Sequence, residues 1–532
     1  MSDNDKAITP RQPPWPAPLV APLPPDGHFA KNEEWAWARI ANGLIADMAY
    51  YPGDETDPNG KDWLDGQFSP EPDPKDSSTF KPQHKLTELF LRTILFHEPW
   101  ASASERPGVD ISNALIEDPI DWSERETKGA LWFFRCRFAQ DVVCRRIQVR
   151  GTLSLQACVL AGELNLDRAH VGSNLFCREG TVVEGNVLLI GAHIEGNAEF
   201  DGATLKGALF SDSLRVDCGL FLRQMRRLGP TDLIASQIGR DLHIHGSEIE
   251  GEINLTGATI AGELHLDRGW DNERKKDTLP TWGDGVRLIL RNASATSIAG
   301  RLDAFRRQRD NKNVAWGDFV DMDLTGFRYQ NLGGLDAAHK DTLAAAEAEH
   351  LIAWLEAGSG DGAFNPDPYR QLARALEASG HMGKARRILR AMAGHEHRAA
   401  KGWRRVPFFF SWLFIRYGYS NLTALVWFVA LVLVFTAWGL SMEGLRGLDF
   451  SPAGFAEFFR WLGFSFANAI PLMSFDKAHE TFLAAQFGHG EAASVPVAIA
   501  WAFYLEKVAG FIILTYLAAG LSGLAHRRVE EG

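Results

Sequence analysis

Cysteine is scarce in this chain, with five in 532 residues and no CxxC pair, so neither a disulfide framework nor a zinc ribbon can organise it. All five (Cys136, Cys144, Cys158, Cys177, Cys218) fall in one region at irregular spacing. They read as reduced thiols packed as small apolar residues, which places that region in a reducing compartment. Positive charge is also short: 55 Lys and Arg stand against 67 Asp and Glu, a net charge of −12. That balance excludes a general nucleic-acid binder, which presents a basic face. The opening MSDNDKAITP has neither the basic nor the apolar part of a signal peptide. Catalytic signatures are missing as well. There is no GxSxG and no Walker lysine, and HEH at 395–397 is not HExxH. GSGDG at 358–362 follows a helical stretch rather than a strand, so it is no phosphate loop. No reaction and no cofactor can be assigned.

What the chain does have is a stutter. GTLSL (151–155), GELNL (162–166), GNVLL (185–189), GNAEF (196–200), GRDLHI (239–244), GEINL (251–255) and GELHL (262–266) repeat a glycine and an apolar–polar–apolar triplet about every 11 residues. Alternation with period two is a strand signal, and short fixed repeats mean units that bury their apolar faces only against one another. Two units predict a β-solenoid coil of about 22 residues, with the glycine at the corner. The aromatics of LWFFRCRF (131–138) suggest a wider or less regular first coil, and RQMRRLGPTD between Leu222 and Leu233 an excursion from which the rhythm recovers at Ile238. DNERKKD after Gly269 reads as a charged insertion.

The expected order is then a Pro-rich arm (1–29), a helical cap region (30–106), the solenoid (107–331), a helical region (335–403) and a membrane domain (404–528). In the cap, Asn32 to Tyr51 and Leu86 to Phe96 have helical spacing, the second through Leu86, Leu89, Phe90 and Ile94. A cap protects the unpaired edge of an open solenoid. PYRQLARALEASGHMGKARRILRAM (368–392) has the spacing of one tetratricopeptide-like hairpin, which serves as an adaptor on the solenoid end rather than as a binding superhelix.

Residues 421–441 carry no charge and are long enough to span a bilayer, and 508–525 form a second, shorter candidate. Lys401, Arg404, Arg405 and Arg416 precede the first span and Arg527 and Arg528 follow the second. The positive-inside rule then puts both termini and the solenoid in the cytoplasm. Phe408, Phe409, Phe410, Trp412, Phe414 and Tyr417 would form an aromatic shoulder at the inner interface. Glu506 and Lys507 read as residues snorkelling at the outer edge of the second span. Residues 455–472 are apolar but interrupted, and two readings stay open: an interfacial helix, or a re-entrant segment of a two-span pore in which Asn468, Pro471, Ser474 and Asp476 stand where a filter would be.

In the solenoid, His243, His245 and His265 stand out. His243 and His265 are 22 residues apart and face outward one rung above the other, with Asp241 and Glu263 on the same face. Imidazole and carboxylate so placed are candidate ligands for a divalent metal.

DPYRQLARALEASGHMGKARRIL, FIRYGYSNLTAL, NAIPLMSF and LAAGLSGLAHRR, in that order and behind the repeats, resemble a family of bacterial membrane proteins with pentapeptide-like repeats, often labelled membrane-associated oxidoreductases. The likeness covers about Leu86 to Arg528. It implies a bacterial inner-membrane location, while no flavin, nicotinamide, haem or cysteine-pair motif accompanies the oxidoreductase label. The whole reading is a mixed β and α chain: a right-handed β-solenoid with an N-terminal helical cap, a C-terminal helical hairpin and two transmembrane helices. Its expected partners are the lipid bilayer, another protein docked on the solenoid as scaffold, and further copies of itself. An oligomeric pore gated by the solenoid is the alternative function, and an enzyme with a site in a solenoid groove is the third.

Overall fold

A computed structural model describes residues 29–51, 71–104, 106–267, 269–271, 276–307, 318–333, 342–358, 364–399, 402, 409, 413, 421–442, 452–470 and 497–521. The Pro-rich arm, Pro471, Ser474, Asp476, the basic residues flanking the spans and the aromatics 408, 410, 412, 414 and 417 lie outside the described residues. The chain forms two compact units, residues 1–385 and 386–532.

The first unit is a parallel β-solenoid. Each coil contributes four short strands, as in Leu209–Phe210, Arg215–Val216, Leu220–Phe221 and Arg227–Leu228. These stack on their neighbours into three parallel sheets of 17, 8 and 9 strands. Leu220, Leu242 and Leu264 sit one above the other, 22 residues apart. Leu222, Ile244 and Leu266 follow them two positions on, all fully buried. Two-residue strands gain little from propensity. The stack holds because each inward Leu, Ile or Val removes its side chain from water, worth about 2 kcal/mol apiece.

The 11-residue rhythm belongs to the corners. Asn113, Glu124, Arg135, Arg146, Ala157, Arg168, Glu179, Gly202, Ser213, Gln224, Ala235, Gly246 and Gly257 all have positive φ. Most are not glycine. The motif glycines do a different job. An added Cβ on Gly185, Gly207, Gly229 or Gly251 would sit within 2.4–2.7 Å of the backbone at the preceding glycine (162, 185, 207 and 229). They form a stripe down the stack where one coil's backbone lies flat on the next.

Two expected irregularities are absent. The first coil pairs Gly108–Ser112 with Ala130–Phe134 at the usual 22, because Trp132 and Phe134 point outward and only Leu131 and Phe133 fill the core. The stretch after Leu222 is a regular coil too, with Leu228 beneath Leu205 and Asp232 beneath Phe210. Its arginines occupy outward positions while Met225, Leu228 and Leu233 keep the interior. The insertion after Gly269 is present as an antiparallel pair, Gly269–Asp271 with Lys276–Thr278. The coil then lengthens to 34 residues, from Leu264 to Ile298.

Helix α1 (Lys31–Ala41) ends earlier than its apolar spacing suggests, because Asn42 and Gly43 (φ +65) terminate it. The chain then adds Ala46–Asp47 as a strand beside Ile111–Ser112. Helix α2 (Glu88–Phe96) is capped by Thr87 and buries Phe90 and Ile94, whereas Leu89 is half exposed. The Glu33 carboxylate is buried between the two helices, accepting from Thr87 N at 2.8 Å and Thr87 Oγ1 at 2.7 Å. A one-turn helix α3 (Trp100–Ala103) leads into the first coil. At the far end come α4 (Ala348–Ala357) and α5 (Asp367–Ala378), and α6 (Met382–Ala399) begins in this unit and continues into the second. Helix α5 lies on the last strand, Arg328–Leu332, through an Asp367–Arg328 ion pair at 2.8 Å and a hydrogen bond from Gln371 Nε2 to the Tyr329 carbonyl.

The second unit contains α7 (Asn421–Met442), α8 (Pro452–Ala469) and α9 (Val497–Leu521). Two are long and apolar enough to cross a membrane, over Leu422–Ser441 and Trp501–Ala518. The second therefore starts well before 508, and Glu506 lies inside it. Helix α8 runs alongside α7. Trp461 packs on Gly439, Ser465 donates to the Val432 carbonyl at 3.1 Å, and Phe466 meets Phe428 at 5.9 Å.

Candidate functional site

Alternation and register together build the histidine cluster. Outward residues follow one another by two along a strand and by 22 between coils. His243 therefore pairs with His265 in register, and His245, two residues on, shares their face. Their ring centroids are 4.8–5.5 Å apart, and one ligand nitrogen from each lies within 4.8 Å of the others. His243 Nδ1 is 2.9 Å from His265 Nδ1. Burial, the neighbouring imidazoles and Arg223 push His243 down to about 4 and His245 lower still. Both are thus neutral, with lone pairs available.

Of the four expected ligands the structure brings two together and supplies His245 as the third. Asp241 and Glu263 share the face, but Asp241 Oδ1 accepts the Glu263 backbone N–H at 2.7 Å. The signal for His245 was present in the sequence as simple alternation, His243-x-His245.

The same outward column continues back along the solenoid as Trp132, Ser154, Phe176, Glu199, Phe221, His243 and His265. Arg178 lies over Phe176 at 4.2 Å and binds Glu199 at 2.6 Å. Arg223 lies over Phe221 at 4.5 Å and pairs with Asp201. Phe221 stacks on His243 at 4.9 Å. Trp132 in this column, and Phe134 two residues on, are exposed aromatic rings, and Asp110 continues the column one coil further back.

The cysteines carry no comparable chemistry. Cys136 and Cys158 point inward at a corner, each donating to a carbonyl 25 residues earlier, as Ser247 does. Burial pushes Cys144 and Cys177 up to about 12, so neither is a nucleophile. Cys218 alone is partly exposed.

In the second unit Glu506 is fully buried rather than snorkelling. Its oxygens accept from Ser465 Oγ and from Asn468 Nδ2, the latter at 2.7 Å, and Asn468 also donates to the Phe503 carbonyl at 3.0 Å. Asn468, named in the sequence with the filter candidates, ties α8 to α9. No family model, curated protein or solved structure matches this chain.

Proposed function

We propose that this is an integral protein of the bacterial inner membrane whose right-handed solenoid stands in the cytoplasm as a scaffold for another protein. The observation that carries it is the outward aromatic and arginine column that includes Trp132, with Phe134 exposed beside it. Aromatic rings braced by guanidinium groups are what protein-binding hot spots are made of. The void beside Trp122 and Phe133 inside the solenoid measures about 20 Å³ and is wholly apolar, too small for a ligand.

Membrane insertion draws on the bareness of the apolar helices. Only 28% and 22% of their windows are buried, whereas a core helix of a soluble protein is mostly covered. The cytoplasmic orientation rests on the basic flanks and on the uncrosslinked cysteines. The resemblance to membrane proteins with pentapeptide-like repeats supports the same architecture, with α1 and α2 as the N-terminal cap.

A photo-reactive amino acid in place of Trp132 or Phe134, in the full chain in its own membranes, tests the scaffold. Both positions should give the same discrete adduct with a second protein. Val143, outward on the nine-stranded sheet, should give none. Equal adducts from all three positions, or none from any, would overturn the reading. The oligomeric pore remains a second reading because α8 packs along both apolar helices. Ion flux through reconstituted protein supports it, and silent liposomes remove it.

A further inference from the structure

We propose that His243, His245 and His265 form a binding site for one divalent transition-metal ion of the zinc class, beside the strand pair Gly269–Asp271 and Lys276–Thr278. Two nitrogens held at roughly 2.1 Å from one ion, at roughly 90–110°, lie about 3.0–3.4 Å apart. His243 Nδ1 and His265 Nδ1 already stand 2.9 Å apart, and the third imidazole is within 4.8 Å. Side-chain rotation alone can close the triangle. Imidazole donors select zinc, copper, nickel or cobalt over calcium and magnesium, which take oxygen.

The same 17-stranded sheet contains its own control in a neighbouring column. His170 and His193 are also outward, in register on consecutive coils, with rings 5.1 Å apart. Each has a carboxylate: Glu195 at 3.1 Å from His170 and Asp217 at 3.0 Å from His193. That is an ordinary solvated histidine ladder. The triad is built differently, because its histidines face one another. His245 Nδ1 is buried with no hydrogen-bond partner. Leaving a buried nitrogen unpaired is unfavourable unless something else takes its lone pair.

Two further features converge on the same rung. Asp267 follows His265 by two and His245 by 22, and its Oδ1 is also buried without a partner. The insertion occurs at this coil. A Cβ on Gly269 would lie 2.2 Å from His245 Cδ2, and one on Gly246 would lie 3.0 Å from Thr278 Oγ1. The strand pair therefore packs closely on His245, at one side of the triad. Arg223, the nearby cation, is already paired with Asp201.

The test uses the full chain in detergent, stripped with chelator and titrated with Zn²⁺ or Co²⁺. One ion per chain should bind, and the zinc absorption edge should report a first shell of about three imidazole-type nitrogens. His245→Ala and His265→Ala should each weaken binding roughly 100-fold or more, while the His170→Ala/His193→Ala pair leaves it unchanged. The absorption measurement needs no variant, so a misfolded mutant does not blunt the test. Substoichiometric binding, a shell of oxygen or sulfur, or loss of binding only in the His170/His193 variant would overturn the proposal.

Discussion

Asn468 Nδ2 donates to Glu506 Oε2 at 2.7 Å, joining α8 to α9 through a carboxylate that has no exposed surface. Ser465 serves the other oxygen. A buried polar group with its partners in place stabilises one packing over others, and removing one partner leaves the rest unsatisfied. Glu506→Gln keeps an acceptor for Asn468 and should melt close to the parent in detergent. Glu506→Ala opens a cavity and leaves one Asn468 N–H without its acceptor, and should lose about 2 kcal/mol or more. Equal melting temperatures for the two variants would mean that the network does not hold the helices.

The division of labour between corners and glycines gives a paired prediction. Gly207→Ala places a Cβ 2.4 Å from the Gly185 carbonyl oxygen, in a stack that cannot part locally. It should destabilise the solenoid by about 2–3 kcal/mol, as overpacking does. Ala235→Gly, at a corner with φ +54, should be near neutral, because relief of left-handed strain offsets added chain entropy. Thermal unfolding of the full chain compares them directly. If Gly207→Ala were as mild as Ala235→Gly, the stripe would not be a close-packed contact.

These contrasts explain what the sequence disclosed. The 22-residue stacking of His243 on His265 was legible, because strand register and repeat length are the same number once the coil is a solenoid. The corners were not, because Glu124 and Arg146 are ordinary residues whose left-handed conformation is imposed by the stack. Met225 and Leu228 keep the core of a coil whose polar outward residues look like a break. Glu506 looked like the end of a helix because a carboxylate marks a boundary until Ser465 and Asn468 are placed against it. Burial of Glu506 and the close packing on His245 both depend on residues distant in sequence, and no local pattern announces either.

Cysteine accessibility follows from the inward packing. Cys136, Cys144, Cys158 and Cys177 are buried, and only Cys218 reaches solvent. A maleimide should therefore modify one thiol of five in the native chain and all five after denaturation. A Cys218→Ser variant should take none. Cys218 is also the reporter of sidedness: an impermeant reagent should label it only after cells are opened. Labelling of Cys218 in intact cells would reverse the proposed orientation.

His84 makes the first unit sensitive to acid. It is buried against Phe80, and its Nδ1 accepts the Lys81 backbone N–H at 3.3 Å, which fixes the neutral tautomer. Burial, with Lys81 nearby, pushes its pKa from 6.5 down to about 4. Above pH 6.5 both the folded and unfolded forms are neutral and stability is fully present. As pH falls from 6.5 to about 4 the unfolded form takes up a proton that the folded form refuses, and at most about 3 kcal/mol is lost. Protease cleavage within 29–104 should therefore rise between pH 7 and pH 5. His84→Asn, whose side-chain oxygen can still accept from Lys81, carries no proton in that range and should flatten the rise. An unchanged pH profile in that variant would assign the sensitivity elsewhere.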